Sequence, residues 1–271
     1  MINLFILMED VRLYTGDTEG IPMMSWNLNA PQKKEMDCVL PVIQQWEQVN
    51  PDGLIFLQEV SERNFQRIMD ETSLLCMGAS YHPIDSCRNR KKETCPGLAI
   101  CAAKNWSFRR PHHKNFQDQR NYGYFQTELK PPGENEYFNA LNIHLESLWR
   151  TRYELKTQNM TELLHQNTLR QHEQLGKIEK VLSILKDPVL LVGDFNSVSS
   201  MWLHRHLRTN LIDAHRFSGM GFGISAKRYS IPIRVDHLYI QAPMRWSGET
   251  RVLHQHTCSD HFPITSWFSL R

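Results

Sequence analysis

The chain has 271 residues, 41% hydrophobic and 22% charged, which suits one large globular domain with a sizeable core. Its 13 glycines and 13 prolines show no bias, which excludes collagen-like and disordered classes. A net charge of +2 means that any polyanion site is a local feature of the surface.

Met1 to Met8 is a short apolar run with no basic flank, followed by Glu9 and Asp10. It has neither spanning length nor signal-peptide form, and no other stretch is long enough to span. Residues 1–20 read as an N-terminal extension, and residues 21–271 as a single domain without repeats or linkers. Ile21 to Asn29 is the first strand, ending on Asn27 and Asn29. Met36, Val39, Leu40, Ile43, Trp46 and Val49 follow at helical spacing. Pro41 then requires that this helix start close before it. After the Asn50-Pro51-Asp52-Gly53 break, Leu54 to Leu57 is a buried strand that runs into Gln58-Glu59-Val60. Ser61 is the expected N-cap of a helix carrying Phe65, Ile68, Met69 and Leu75.

Cys76 to Cys101 reads as strand, basic loop (Arg88, Arg90, Lys91, Lys92) and strand. Residues 109–120 read as a second basic loop. Strands follow at Tyr122–Leu129 and Tyr137–His144, then a mostly helical stretch from Leu148 to Lys186. Pro188 to Ser197 opens with a continuous apolar run that enters Gly193-Asp194-Phe195-Asn196, the pattern of a buried central strand. Trp202–Leu207 is a short helix and 216–230 a loop. Ile233–Ile240 and Phe262–Phe268 are the last strands. Helices alternate with strands early, and strand pairs dominate the middle, so the expected class is an α/β sandwich with mixed sheets. The six cysteines form no C-x-x-C pair and, without a secretion signal, read as reduced thiols; the stretch from Cys87 to Cys101 leaves room for a disulfide or a metal clip. An intracellular, cytoplasmic monomer is expected.

Polar residues leave five apolar runs at their ends: Asn27, Glu59, His144, Asp194 with Asn196, and Asp236. Ser259-Asp260-His261 precedes the last strand. Carboxylates gathered at one sheet edge repel each other unless a cation or a proton intervenes. An oxygen-rich set of Glu, Asp and Asn suits Mg2+, with Mn2+ an alternative, and lacks the Cys/His composition of zinc sites. His254, His256, His261 and Cys258 match no closed zinc spacing. Metal, acid–base pair and water-holding carboxylate together point to phosphoric ester hydrolysis.

WNLN, LQEV, IHLES, GDFNS, RVDHLYI and SDHFPI stand in the order found in the endonuclease/exonuclease/phosphatase (deoxyribonuclease-I-like) superfamily, which the chain resembles over residues 21–270. The resemblance implies a four-layer α/β sandwich, two mixed β-sheets face to face with helices outside. It also implies roles. Glu59 is the main Mg2+ ligand, Asn27 orients it or reaches the metal through water, and Asp260 is a second ligand. Asp194 activates the attacking water, Asn196 holds a phosphate oxygen, His144 and His261 contact the phosphate, and Asp236 orients His261. HLES looks like the motif of 5′-tyrosyl-DNA phosphodiesterases, from which this chain departs at Phe195 and Asn29. The expected substrate is nucleic acid, cleaved as an endonuclease, exonuclease or DNA end-processing phosphodiesterase. The alternative is a phospholipid, a phosphoinositide or another small phosphate ester.

Overall fold

The computed structural model describes residues 20–29, 33–80, 96–116, 122–147, 159–228 and 231–271. The first sheet contains β1 (Ile21–Asn27), β2 (Leu54–Gln58), β3 (Leu74–Ser80), β4 (Gly97–Ala103), β13 (Arg245–Trp246), β14 (Arg251–Val252) and β15 (Ile264–Ser269). Its order is β13-β15-β1-β2-β4-β3, with β14 also on β15; β1 and β2 run parallel and their neighbours antiparallel. The second sheet contains β5 (Ser107–Asn115), β6 (Gly123–Lys130), β7 (Phe138–His144), β8 (Val189–Asp194), β9 (Ile212–Asp213) and β12 (Asp236–Ile240). Its order is β5-β6-β7-β8-β12-β9, with β7 and β8 parallel. A hairpin of β10 (Ala226–Arg228) and β11 (Ile231–Ile233) stands apart. The helices are α1 (Lys33–Val49), α2 (Glu62–Glu71), α3 (Met160–Ile184), α4 (Trp202–Leu207) and α5 (Ala214–Ser218).

The alternation of side chains along each strand makes the layers. Phe56, Leu98 and Ile100 of the first sheet meet Phe125, Phe138, Leu190, Val192 and Leu238 of the second in a common core. The opposite face of the first sheet, with Met24, Trp26, Ile55 and Leu57, packs under Met36, Val39, Ile43 and Ile68 of α1 and α2. The outer face of the second sheet, with Leu141, Ile143, Leu191 and Tyr239, packs under Leu175 and Ile178 of α3 and Leu203 of α4. The result is the expected four-layer α/β sandwich with two mixed sheets.

One polar side chain bolts the two sheets together. Asn142 of β7 donates from Nδ2 to the carbonyls of Leu57 and Ala99 at 2.8 Å each, and its Oδ1 accepts from Gln58 Nε2 at 2.7 Å. An amide in an apolar core is tolerable because its hydrogen bonds are made.

Several elements differ from the sequence expectation. Pro41 lies well inside α1, on its exposed side. The carbonyl it leaves without an intrahelical partner can turn to water, so the helix continues. Residues 109–115 belong to strand β5 and not to a loop. This strand lies at the sheet edge, so it needs no apolar alternation, and Pro111 falls where the register shifts between Arg109 and His112. The helix after Ser61 ends at Glu71, and Leu75, expected on it, lies in strand β3; the expected strand Ile233–Ile240 is split between β11 and β12. In the stretch expected as a 216–230 loop, α5 ends at Ser218 and β10 covers Ala226–Arg228. The basic residues at 88–92, most of the N-terminal extension and the start of the helical stretch from Leu148 lie outside the described residues.

Four cysteines are bonded, which corrects the reading as reduced thiols: Cys38 pairs with Cys258, and Cys76 with Cys101 on adjacent strands. Sequence gave no sign of these pairs, because their partners lie far apart in the chain or were hidden among strand residues. The first bond joins residues 220 apart, and by chain entropy such a loop contributes about 5 kcal/mol. A dithiol reductant, or Cys38→Ser, is therefore expected to lower Tm by about 10 °C in a thermal melt. An unchanged Tm would show that the tether adds nothing to stability.

Candidate active site

Both sheets end their polar residues on one rim. Asn27 closes β1 beside Gln58 of parallel β2, and Glu59 follows immediately. On the second sheet, Asp194 closes β8 with His144 of β7 on one side and Asp236 of β12 on the other. His261 enters from the segment before β15, fixed by its carbonyl to Trp26 Nε1 (2.9 Å) and by its N–H to Ser259 Oγ (3.2 Å). Ser259 Oγ in turn donates to the Asn27 carbonyl at 2.8 Å.

Local backbone explains part of the motif. Gly193 has φ +143, and a Cβ there would lie 2.0 Å from the Ile143 carbonyl oxygen, so β7 approaches too closely for a side chain. Glu59 and Asn196 both adopt left-handed φ, at 53 and 49. Non-glycine residues rarely do this away from functional turns.

Asp194 is the hub. Its Oδ2 accepts from Asn27 Nδ2 (2.9 Å) and Asn196 Nδ2 (3.1 Å), and its Oδ1 from the Asn196 N–H (2.7 Å). His144 Nε2 stands 3.7 Å and His261 Nε2 3.8 Å from Oδ2. His144 Nε2 is also 3.6 Å from Glu59 Oε1, and Asn27 Nδ2 donates to that oxygen at 3.4 Å. His261 Nδ1 pairs with Asp236 Oδ2 at 2.8 Å. Ser225 Oγ accepts from the Asp236 N–H at 3.0 Å.

The charges are strongly perturbed. Burial raises the Asp194 pKa, and the neighbouring Asp236 charge raises it further, against the pull of His261 and His144. Burial alone would lower His261; the charges of Asp236 and Asp194 overcome it and lift it to about 10. The imidazole is therefore an imidazolium at neutral pH. Asp194, Asp236 and His261 bring ligand-capable atoms within 4.8 Å of one another; the two buried carboxylates suit a divalent cation, for which His261 becomes a ligand only when its proton is displaced.

Asn27, Glu59, His144, Asp194, Asn196, Asp236 and His261 thus come together. Asp260 is exposed at the rim, with Ser259 Oγ on its Oδ1 at 3.4 Å. Asn196 Nδ2 also donates to the Leu145 carbonyl at 2.9 Å, so in this state both amide hydrogens serve the protein. Cys258 is bonded to Cys38 and offers no thiolate for zinc.

Sequence reasoning missed a supporting row on α3. Gln171 Nε2 donates to the carbonyls of Glu146 (2.7 Å), Phe195 and Asn196 (3.3 Å each). Gln174 Oε1 accepts from the Glu146 N–H at 2.8 Å, and Arg170 pairs with Glu146 at 3.5 Å. Arg170 and Gln174, which the sequence suggested were surface features, thus hold the segment after β7 at Glu146, while Gln171 reaches both motif strands. Asn167, Gln171 and Gln174 are buried, and their i, i+4, i+7 spacing was the available signal of a polar stripe facing inward.

A family model described as the Endonuclease/Exonuclease/phosphatase family matches residues 24–261. The chain belongs to this family. Its membership and the buried cluster mark it as a metal-dependent phosphoesterase. A Bacteroides thetaiotaomicron mannosyl-6-phosphatase has a similar fold, with TM-score 0.69 and 13% identity over 92% of this chain and 99% of that one. The human Nocturnin catalytic domain with bound sulfate is similar at TM-score 0.66 and 17% identity, covering 92% and 94%. D. rerio TDP2 complexed with a single-strand DNA product gives TM-score 0.67 and 14% identity, covering 93% and 99%. At these identities the likeness is one of fold. No curated protein shows significant sequence similarity. Among the described residues, no helix is long and apolar enough to cross a membrane.

Proposed function

We propose that the chain hydrolyses phosphodiester bonds of nucleic acid, with Mg2+ (or Mn2+) held by Glu59 and Asn27 and Asp260 as a further ligand from the rim. The donor set is oxygen-rich, as hard cations prefer. When bound, the cation supplies Lewis-acid polarisation of a phosphoryl oxygen. Asp194, whose carboxylate holds a proton more readily than usual, accepts the proton of the attacking water. The His261 imidazolium, kept charged by Asp236, stabilises negative charge on the phosphoryl and leaving oxygens. Asn196 keeps Asp194 aimed and meets a phosphate oxygen by exchanging one of its amide bonds. His144 lies where it can contact the phosphate or assist leaving-group departure.

The observation that carries the hydrolase reading is this convergence on Asp194. The choice of nucleic acid rests on the basic residues that the sequence puts in the connection between β3 and β4. The segment with Arg88, Arg90, Lys91 and Lys92 departs from Ser80 and returns at Gly97, and the Gly97 carbonyl accepts the N–H of Val60, next to Glu59, at 3.1 Å. Arg109 and Arg110 do not share this role. Both pair with Glu128, at the end of β5 remote from His144.

A second reading, phospholipid hydrolysis, has one specific support: Phe217, Met220 and Phe222 are exposed at 62%, 58% and 90%. The two disulfides favour a compartment where thiols stay oxidised over the cytoplasm. The test of substrate is cleavage of single-stranded DNA with Mg2+ across a salt series. Binding is expected to fall steeply with salt, and Arg88, Arg90, Lys91 and Lys92 together changed to Ala should flatten that slope. No DNA cleavage, with hydrolysis of phospholipid vesicles that Phe222→Ala weakens, would establish the second reading instead.

A further inference from the structure

Behind the Gly193–Ser197 turn, on the face of the second sheet turned away from the reacting groups, lies a buried polar cluster with no role in the chemistry above. Asp236 and Asp194 point between the sheets, so His237 and Tyr239, one and three residues on, point outward beneath α4. There they meet His204 of α4 and Ser197. All four residues are buried.

The hydrogen bonds fix the protonation pattern. The Ser197 carbonyl can only accept, and it lies 3.0 Å from Nε2 of His204 and 3.0 Å from Nε2 of His237. Both imidazoles therefore carry their hydrogen on Nε2. His204 Nε2 also lies 2.9 Å from Ser197 Oγ. His204 Nδ1 must then accept, and Tyr239 O–H donates to it at 2.7 Å. The two rings lie 4.0 Å apart, and Phe195 abuts both at 5.4 Å. His237 Nδ1 is buried with no hydrogen-bond partner among the described residues. Leaving a buried acceptor unmatched is costly, and an apolar side chain would avoid that cost. What the imidazole adds is the donor aimed at Ser197.

We propose that His204, His237 and Tyr239 are positioning residues: they hold the Ser197 carbonyl from two sides, and so keep Asn196 left-handed with its amide on Asp194. Ser197 directly follows Asn196, whose φ of 49 is the strained conformation of the turn. Rotation of the peptide plane behind it would carry the Asn196 side chain off Asp194 Oδ2. Gln171 holds the carbonyls of Phe195 and Asn196, so with the two imidazoles three successive carbonyls of the turn are gripped by buried donors. This inference rests on the catalytic role proposed above for Asp194.

The test compares His204→Phe, which keeps a ring but loses the donor, with His204→Gln, which keeps an N–H donor at similar reach. Hydrolysis of bis(4-nitrophenyl) phosphate with Mg2+ is the assay, with Asp194→Asn as control. The expected result is a kcat loss of about tenfold or more for His204→Phe, KM within about twofold, and most of the rate restored in His204→Gln. Tyr239→Phe, a smaller change that serves if His204→Phe does not fold, should lower kcat and mix the His204 tautomers seen by nitrogen NMR of the imidazole. Equal losses in the Phe and Gln variants, a change confined to KM, or an unchanged tautomer and rate in Tyr239→Phe would overturn the proposal. If Asp194→Asn keeps the wild-type rate, the Asp194 reading itself fails; if it is inactive while His204→Phe is not impaired, only the positioning role fails.

Discussion

His261→Ala is expected to lower kcat by about 10² or more, with a smaller change in KM, because the imidazolium acts on charge that develops only in the transition state. Asp236→Asn should be nearly as damaging, since the 2.8 Å bond from His261 Nδ1 and the adjacent charge are what keep the ring protonated against burial. The pair acts as one unit, so the double variant should be far less impaired than the product of the single losses. Multiplicative losses would reassign Asp236 to a purely structural role. The pH profile adds a sign. A group raised from 6.5 to about 10 favours folding fully below 6.5 and loses that contribution as pH rises through about 10. Activity should therefore fall on the alkaline side near pH 10, and Asp236→Asn should move that limb to lower pH. An unmoved limb in the variant would mean that another group sets it.

Glu59→Gln should leave the fold intact and abolish most Mg2+-supported hydrolysis, with the cation concentration for half-maximal rate raised about tenfold or more. The wild-type activity should vanish in chelator and return with Mg2+ or Mn2+. Isothermal titration with Mg2+ alone reads the binding loss without reference to turnover. Full activity in chelator would end the metal mechanism. Wild-type Mg2+ affinity in Glu59→Gln would pass the ligand role to the buried carboxylates of Asp194 and Asp236.

Most of the sandwich was legible in the chain because apolar runs, turn residues and motif order all marked the same strands. Val189–Asp194 and Trp202–Leu207 fell where periodicity put them, and Ser61 caps its helix by accepting from the Asn64 N–H. The illegible parts were those set by tertiary context. An edge strand such as β5 carries charges and a proline because one side meets only water. Two-residue strands such as β9 and β13 are too short to show a period. The site residues were readable as polar endings of apolar runs. What could not be read was their hierarchy: that Asp194 sits at the centre, that Asp260 stays at the rim, and that a helix 25 residues long sends glutamines to brace the turn.

The order of strands in the first sheet also sets when the chain becomes an enzyme. His261 arrives with β15, the last strand, which inserts between β13 and β1, one strand in from the edge of the sheet. Asn27 comes from the first described strand, and its carbonyl receives Ser259, 232 residues later. No N-terminal portion that stops short of residue 261 contains the imidazolium, and none that lacks β15 can seat it beside Asp194. With the role proposed for His261, a chain that stops short of β15 is expected to hydrolyse poorly, however much of the second sheet has already formed. The site is complete only when the two distant stretches pair with each other.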